Sequence, residues 1–531
     1  MTTEATDAAE APPKQKQADI LAKIADEATL FHTPDTIGYA DIVIKKHRET
    51  WPIRSKGFKR WLTHRFYEKT KGAPNSEAMQ SALNIIEAKA HYDAPERAVY
   101  VRIARYDGKI YLDLADANWR AIEISTKGWS VISKPPVRFR RASGMLPLPV
   151  PQKGGKIALL KDFLNVRDDG DFILVVAWIL VALRGQGPFF ILIITGEQGT
   201  AKSTFMRLLR LLIDPNSAAL RTLPGNDRDL FIAATNGHVM AFDNVSYLHD
   251  WLSDALCRLS TGGGFATRSL YTDGEEALFD AMRPIMLNGI VDMATRGDLA
   301  DRGIGLTLQP ILDENRRTEE KLLADFESKR PLILGALLDM MVHGLKMLPQ
   351  TRLSGMPRMA DSALWAAACE TAAWPAGTFI KAYTGNRDDM VETVIEADLV
   401  ALAVRAFMDA RKEAWTGTST SLLTLLNASV DESTRRNKLW PSTARALSGR
   451  LRRAATALRK VGISTEFDHR EPGKKRDRTI TISTVTEKGA KQPSESSTPS
   501  AANSDNTDGK DANLSTQSGE ERAARTWRAK L

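Results

Sequence analysis

Cysteine is nearly absent: the 531-residue chain has only Cys257 and Cys369, far apart and without Cys-x-x-Cys spacing. That excludes a disulfide framework and a cysteine-ligated zinc site, and with the latter a zinc-ribbon primase module. Long apolar runs are also missing. The longest, Phe172 to Leu183, has about 12 residues, whereas a membrane span needs about 20, so it is expected as a buried helix and no membrane partner is expected. Residues 1–20 carry Glu4, Asp7 and Glu10 and no apolar core, so they do not read as a secretory leader, and a cytoplasmic location is expected. What remains is an apolar share of 43%, ample for a large core, and a formal charge of +8, compatible with a polyanionic partner if the cations cluster.

The most specific stretch is Ile191-Leu192-Ile193-Ile194-Thr195-Gly196-Glu197-Gln198-Gly199-Thr200-Ala201-Lys202-Ser203-Thr204, followed by a helical pattern from Phe205 to Leu212. A buried strand that breaks into a glycine loop, with Lys-Ser-Thr at the head of a helix, is the pattern of a nucleotide-binding P-loop. Backbone N–H groups of residues 196–204 are expected to surround the phosphates of ATP, aided by the helix dipole. Lys202 should reach the β and γ phosphates and the Ser203 hydroxyl should hold Mg²⁺. Ala201 stands where the second fixed glycine usually sits. As the smallest replacement, it is expected to leave a working loop.

Two further strands complete the constellation. The run His238 to Phe242 ends in Asp243-Asn244, about 40 residues after Lys202, where such proteins place the carboxylate that holds Mg²⁺. Asn244 occupies the place of a second acid; its amide can orient water but cannot take a proton. The run Arg283 to Leu287 ends in Asn288, suited to position the attacking water, and Arg302 follows as the candidate arginine finger, with Arg296 in reserve. Between the two strands, the glycine-rich entry at 262–264 and the turn at Asp273-Gly274 suggest a hairpin carrying Arg268 and Tyr271 toward DNA.

In the order P-loop, Asp-Asn strand, hairpin, Asn strand, arginine, the chain resembles the superfamily III helicases of the AAA+ class, in particular the helicase part of phage, plasmid and poxvirus primase-helicases. The resemblance covers roughly residues 40–485. It implies a hexameric ring with ATP between subunits and single-stranded DNA in the pore. No primase catalytic cluster is visible, so a separate primase or polymerase is expected as a partner.

The expected fold is α/β, a P-loop AAA+ core with an N-terminal α+β domain and a C-terminal winged-helix domain. Residues 1–34 read as a flexible arm, 35–150 as the small α+β domain, 155–345 as the ATPase, 346–389 as a helical lid and connector, 390–485 as the winged helix and 486–531 as a disordered tail. The basic, aromatic run from Lys45 to Tyr67 reads either as a nucleic-acid face or as a solvated helix around a core. In the C-terminal unit, Arg450 and Arg453 on a basic helix and Lys474, Lys475 and Arg476 on a two-stranded wing are the DNA-contacting candidates, for origin or duplex DNA. The function expected is an ATP-dependent DNA helicase or replication initiator of a phage, prophage or plasmid. The alternative is an ATP-binding assembly switch on DNA that does not translocate, favoured by Asn244. A small-molecule P-loop kinase would leave the hairpin, Arg302 and the basic C-terminal unit unexplained.

Overall fold

The computed structural model describes residues 16–263, 265–268, 276–279, 281–289, 296–411, 413–468 and 478–484. The tail from 486 onward, Tyr271, Lys474, Lys475 and Arg476 lie outside the described residues.

Helix α1 (Gln17–Ile24) precedes strands β1 (Thr29–His32), β2 (Gly38–Ile44) and β3 (His47–Pro52), an antiparallel meander. Helices α2 (Lys56–Thr70) and α3 (Ser76–Tyr92) follow, each started by a side-chain cap, from Ser55 and Asn75. Leu21, Ile24, Phe58, Leu62, Phe66, Leu83 and Ile86 close one core over Ala40 and Ile42. Residues 17–24, read from sequence as part of a flexible arm, are therefore structural: their apolar face is buried.

Short strands β4 (Val99–Tyr100) and β9 (Arg138–Phe139) pair in parallel around a second meander, β5 (Ile103–Tyr106), β6 (Lys109–Asp113), β7 (Ala121–Ser125) and β8 (Gly128–Ile132). Asp107 and Gly108 both take positive φ, the conformation a two-residue hairpin turn needs. This meander does not share the core of the first sheet. Ile103, Ile110, Leu112, Ile122 and Ile124 pack into the same cluster as the helix α4 (Asp169–Ala182), whose residues from Asp171 onward are all buried. Ala104, Tyr111, Ala121, Val137 and Phe139 close a small cluster of their own, so the segment read as a single domain over 35–150 is divided among three clusters.

The central sheet is parallel, in the order β11-β14-β10-β15, from β10 (Ile191–Gly196), β11 (Met240–Val245), β14 (Ile285–Gly289) and β15 (Gly303–Leu308). Helices α5 (Lys202–Ile213), α6 (Asp227–Asn236) and α7 (Asp250–Thr261) connect it. Strands β12 (Phe265–Arg268) and β13 (Glu276–Phe279) form the antiparallel hairpin expected from the sequence, with Arg268 opposite Glu276. After the short α8 (Gly297–Ala300) and β15 come α9 (Glu319–Met347), α10 (Ala360–Glu370) and α11 (Thr378–Ala397). A Cβ at Gly335 of α9 would meet the Gln152 carbonyl oxygen at 1.8 Å, so backbone lies directly on backbone there.

The C-terminal stretch runs α12 (Leu399–Arg411), β16 (Trp415–Thr418), α13 (Ser419–Ser429), α14 (Glu432–Arg436), α15 (Ala444–Lys460), β17 (Ile463–Phe467) and β18 (Thr479–Thr484), with its strands in the antiparallel order β16-β18-β17. On α15 the buried positions are Leu447, Leu451, Ala454, Ala457 and Leu458; Ala455 is only half-buried. Among the described residues no helix is long and apolar enough to cross a membrane.

The second meander and the central sheet are joined through charge. Arg102, fully buried and at φ 64°, donates from Nε to Asp214 Oδ1 at 3.0 Å and from its η nitrogens to the carbonyls of Asp113, Leu146 and Pro215. Arg210 donates to the Asp214 and Ala219 carbonyls, and the other Asp214 oxygen accepts from the backbone N–H groups of His238 and Val239. Burial pushes the Asp214 carboxyl up, but Arg102 and Arg210 outweigh it and hold it below the usual carboxylate range.

Candidate functional site

The site sits at the carboxyl ends of three adjacent strands. Strand β10 ends in Gly196 at φ 143°, where a Cβ would lie 2.8 Å from the Leu308 carbonyl oxygen of β15, so only glycine fits. The loop turns through Gly199 at φ 86° and enters α5 at Ala201, whose φ of 62° and ψ of 31° are left-handed. The sequence could not show that alanine here adopts a conformation L-residues avoid. The buried Thr200 holds the loop shut, its hydroxyl donating to the Glu197 carbonyl at 3.0 Å.

Ala201 has a second consequence. It offers no side-chain cap, whereas α4, α6 and α9 are capped by Asp168, Asn226 and Thr318. The first-turn N–H groups of α5 are thus left without a side-chain acceptor, which makes that helix start receptive to an anion. Lys202 bends over the loop, donating from Nζ to the Gly196 carbonyl at 2.8 Å and to that of Glu197 at 2.7 Å. An arriving phosphate would exchange these neutral acceptors for charged ones.

Ser203, Asp243, Asn244 and Asn288, from a helix and two neighbouring strands, meet in one network. The Ser203 hydroxyl donates to Asp243 Oδ1 at 2.9 Å, and Asn288 Nδ2 donates to the same oxygen at 2.5 Å. The Asn288 Oδ1 accepts the Asn244 backbone N–H at 2.7 Å. Asn288 is 1% exposed and fixed at both ends, so its orientation is set before anything binds. Asn244 takes φ 55° at a register shift between β11 and β14, which leaves its side chain exposed. Among the described residues no group of three His, Cys, Asp or Glu side chains comes together. The Ser203–Asp243 pair instead suits a hard cation that arrives with phosphates and keeps part of its water, as Mg²⁺ does.

Beside the loop lies a cavity of 440 Å³ whose lining includes Phe163, Leu164, Asn165, Phe205, Arg316 and Leu322. Asn165 Nδ2 bridges the Thr200 and Gln309 carbonyls, tying the segment before α4 to the loop. Arg316 Nη2 lies 3.8 Å from where a Gly199 Cβ would be. Sequence reasoning missed these residues. Phe163 and Asn165 precede the loop by more than 30 positions, and Arg316 follows β15 without a motif.

Arg302 is largely buried, and its Nη1 donates to the Asp298 carbonyl at 3.0 Å within its own chain. Arg296 is ion-paired to Asp250. Next to Arg302, the buried carboxylate of Asp301 faces three cations: Lys460 of α15, Arg358 at 3.6 Å and Arg387 at 3.6 Å. On α15, Arg450 is half-buried and Arg453 exposed, and neither forms an ion pair among the described residues. The backbone of Arg268 lies on the hairpin strand β12.

A glycine loop between a parallel strand and an uncapped helix, with a hydroxyl and a carboxylate in contact beside it, defines a mixed α/β protein with the makings of a phosphate site. Comparison with known families adds a biological setting. Residues 157–393, which contain the whole site, match the family described as the actinomycete integrative conjugative element replication protein, and residues 400–500 match the AICE RepA C-terminal domain. Over these stretches the chain resembles a replication protein of a mobile element. Among solved structures, an A-form apo structure of the NrS-1 C-terminal region aligns over 88% of this chain and 99% of its own at 10% identity and a TM-score of 0.38. A second A-form apo structure of that region aligns over 87% and 98% at 13% identity, also with a TM-score of 0.38. No curated protein matches the chain.

Proposed function

We propose that the chain is an ATP- and Mg²⁺-dependent DNA helicase or replication initiator of a mobile element, working on single-stranded DNA as a ring, hexameric by analogy with the family it resembles. The observation that carries this reading is the Ser203–Asp243–Asn288 contact beside an uncapped, Lys202-bearing helix start. The sheet order, with the loop strand β10 between the Asn288 strand and β15, supports an AAA+ P-loop core. The succession α12, β16, α13, α15, β17, β18 with a three-stranded antiparallel sheet supports a winged helix, with Arg450 and Arg453 on the helix that faces DNA. A separate primase or polymerase would supply the primer.

Lys202 and the α5 N–H groups would bind the phosphates, with Ser203 and Asp243 holding Mg²⁺, which supplies charge neutralisation when bound. Asn288 would orient the attacking water, and Arg302 would complete a neighbour's site after leaving Asp298.

The inward-turned Arg302 and the absence of an acid at 244 favour a second reading, an ATP-dependent assembly switch without translocation. Steady-state ATP hydrolysis with and without single-stranded DNA separates the two, using wild type, Lys202→Ala, Arg302→Ala and a mixture of the two variants. DNA-stimulated turnover, lost in each variant and partly regained on mixing, is the expected result. ATP binding without turnover under any DNA condition would leave only the switch.

A further inference from the structure

Helix α2 has two faces of different chemistry. One buries Phe58, Leu62 and Phe66 in the core of the first sheet. The other presents Lys56, Lys59, Arg60, Thr63, His64 and Tyr67 along one side of the helix, lining a surface concavity of 570 Å³ that Gly72 and Ala73 also line. From Lys56 to Ala73 the chain has six Lys or Arg and one acid, Glu68.

Some surface cations of this unit are neutralised locally. Arg65 is paired with Glu27 and Glu68, Arg54 with Glu87, and Lys89 with Asp26. Lys56, Lys59 and Arg60 in the concavity form no ion pair among the described residues. Tyr67 is 55% exposed, in contrast to Tyr39 at 4%, and Lys71 stands 5.9 Å from its ring centre. An exposed aromatic ring at the end of a row of unpaired cations meets the two demands of an unstacked strand: phosphate neutralisation and a platform for a base. An anionic membrane surface would call for several large apolar side chains on the same stripe, and Tyr67 is the one the concavity offers.

We propose that this face of α2 is a binding site for single-stranded DNA, separate from the site at the glycine loop and from the basic helix α15. Lys56, Lys59 and Arg60 contact phosphates, and Tyr67 stacks on a base. The site needs no nucleotide, so it stands or falls independently of the ATPase reading.

The test uses the full chain carrying Lys202→Ala, without ATP, and a 5-iododeoxyuridine-substituted oligothymidine. Photo-crosslinking followed by peptide mapping is expected to place an adduct on Tyr67. Lys59→Glu/Arg60→Glu is expected to lower affinity about 10-fold or more, and loss of two phosphate contacts should reduce the log–log salt slope by about 1.4. Tyr67→Ala is expected to lose about 5-fold or more, with Tyr67→Phe retaining affinity, because the ring face does the stacking. Adducts confined to other segments, with affinity and salt slope unchanged in the charge-reversal variant, would overturn the proposal. So would variants that lose affinity for duplex DNA or for phosphatidylserine vesicles while keeping it for the single strand.

Discussion

Helix α5 ends in two polar clusters built on opposite principles. At its C-terminal end, Asp214 is buried between Arg102 and Arg210 and takes two backbone N–H groups besides. At its N-terminal end, Lys202 is held by two of its own loop's carbonyls, the helix lacks a side-chain cap and Asp243 is only half-buried. The first cluster is closed and joins two sheets; the second is provisional and waits for charge. Burial between opposite charges suits structure, and partial pairing at an accessible helix start suits the proposed phosphate site.

The contrast is broken most strongly at the closed end. Asp214→Ala leaves two arginines buried without their carboxylate and is expected to cost about 3–5 kcal/mol, seen as a lower urea midpoint. Asp243→Asn, a polar change at the open end, should leave the unfolding free energy within about 1 kcal/mol of wild type, while the proposed ATP turnover falls about 100-fold or more. Comparable stability losses in the two variants would remove the distinction.

The same end predicts a pH response. His238 is buried against the Ala182 carbonyl, to which its Nε2–H donates at 2.8 Å. Burial, opposed by Asp214, pushes its pKa down from 6.5 to about 4. The unfolded chain therefore binds the proton first as pH falls, and stability declines from about pH 6.5 to about pH 4 by up to about 3 kcal/mol. His238→Gln should flatten that part of a stability–pH curve measured by denaturant titration. The smallest effect belongs to the open end: Ala201→Gly relieves the left-handed alanine but adds freedom to the unfolded chain, for a net gain of about 0.5 kcal/mol in thermal unfolding.

Legibility in the sequence followed the range of the interaction. The loop, Asp243 and Asn288 were readable because each ends a short apolar strand, and strand ends in a parallel sheet gather at one edge. The buried helix over Phe172–Leu183 was readable from an equally local pattern, an unbroken apolar run. Arg102 and Asp214 are 112 positions apart, and no local pattern announces their pairing. The division of residues 35–150 among three clusters also depends on what packs behind β5–β8, which spacing does not encode. Arg302 was legible as a position, but its inward bond to Asp298 is a matter of backbone geometry.

Asp301 has one further implication. A single carboxylate facing Lys460, Arg358 and Arg387 is a shared keystone with interchangeable supports. Removing one support lets the others close in, so single losses among the three cations should be forgiven and paired losses should not. The arrangement fastens the last long helix to the edge of the central sheet with tolerance on one side and none on the other: sequence drift can wander among the cations, while the acid stays fixed.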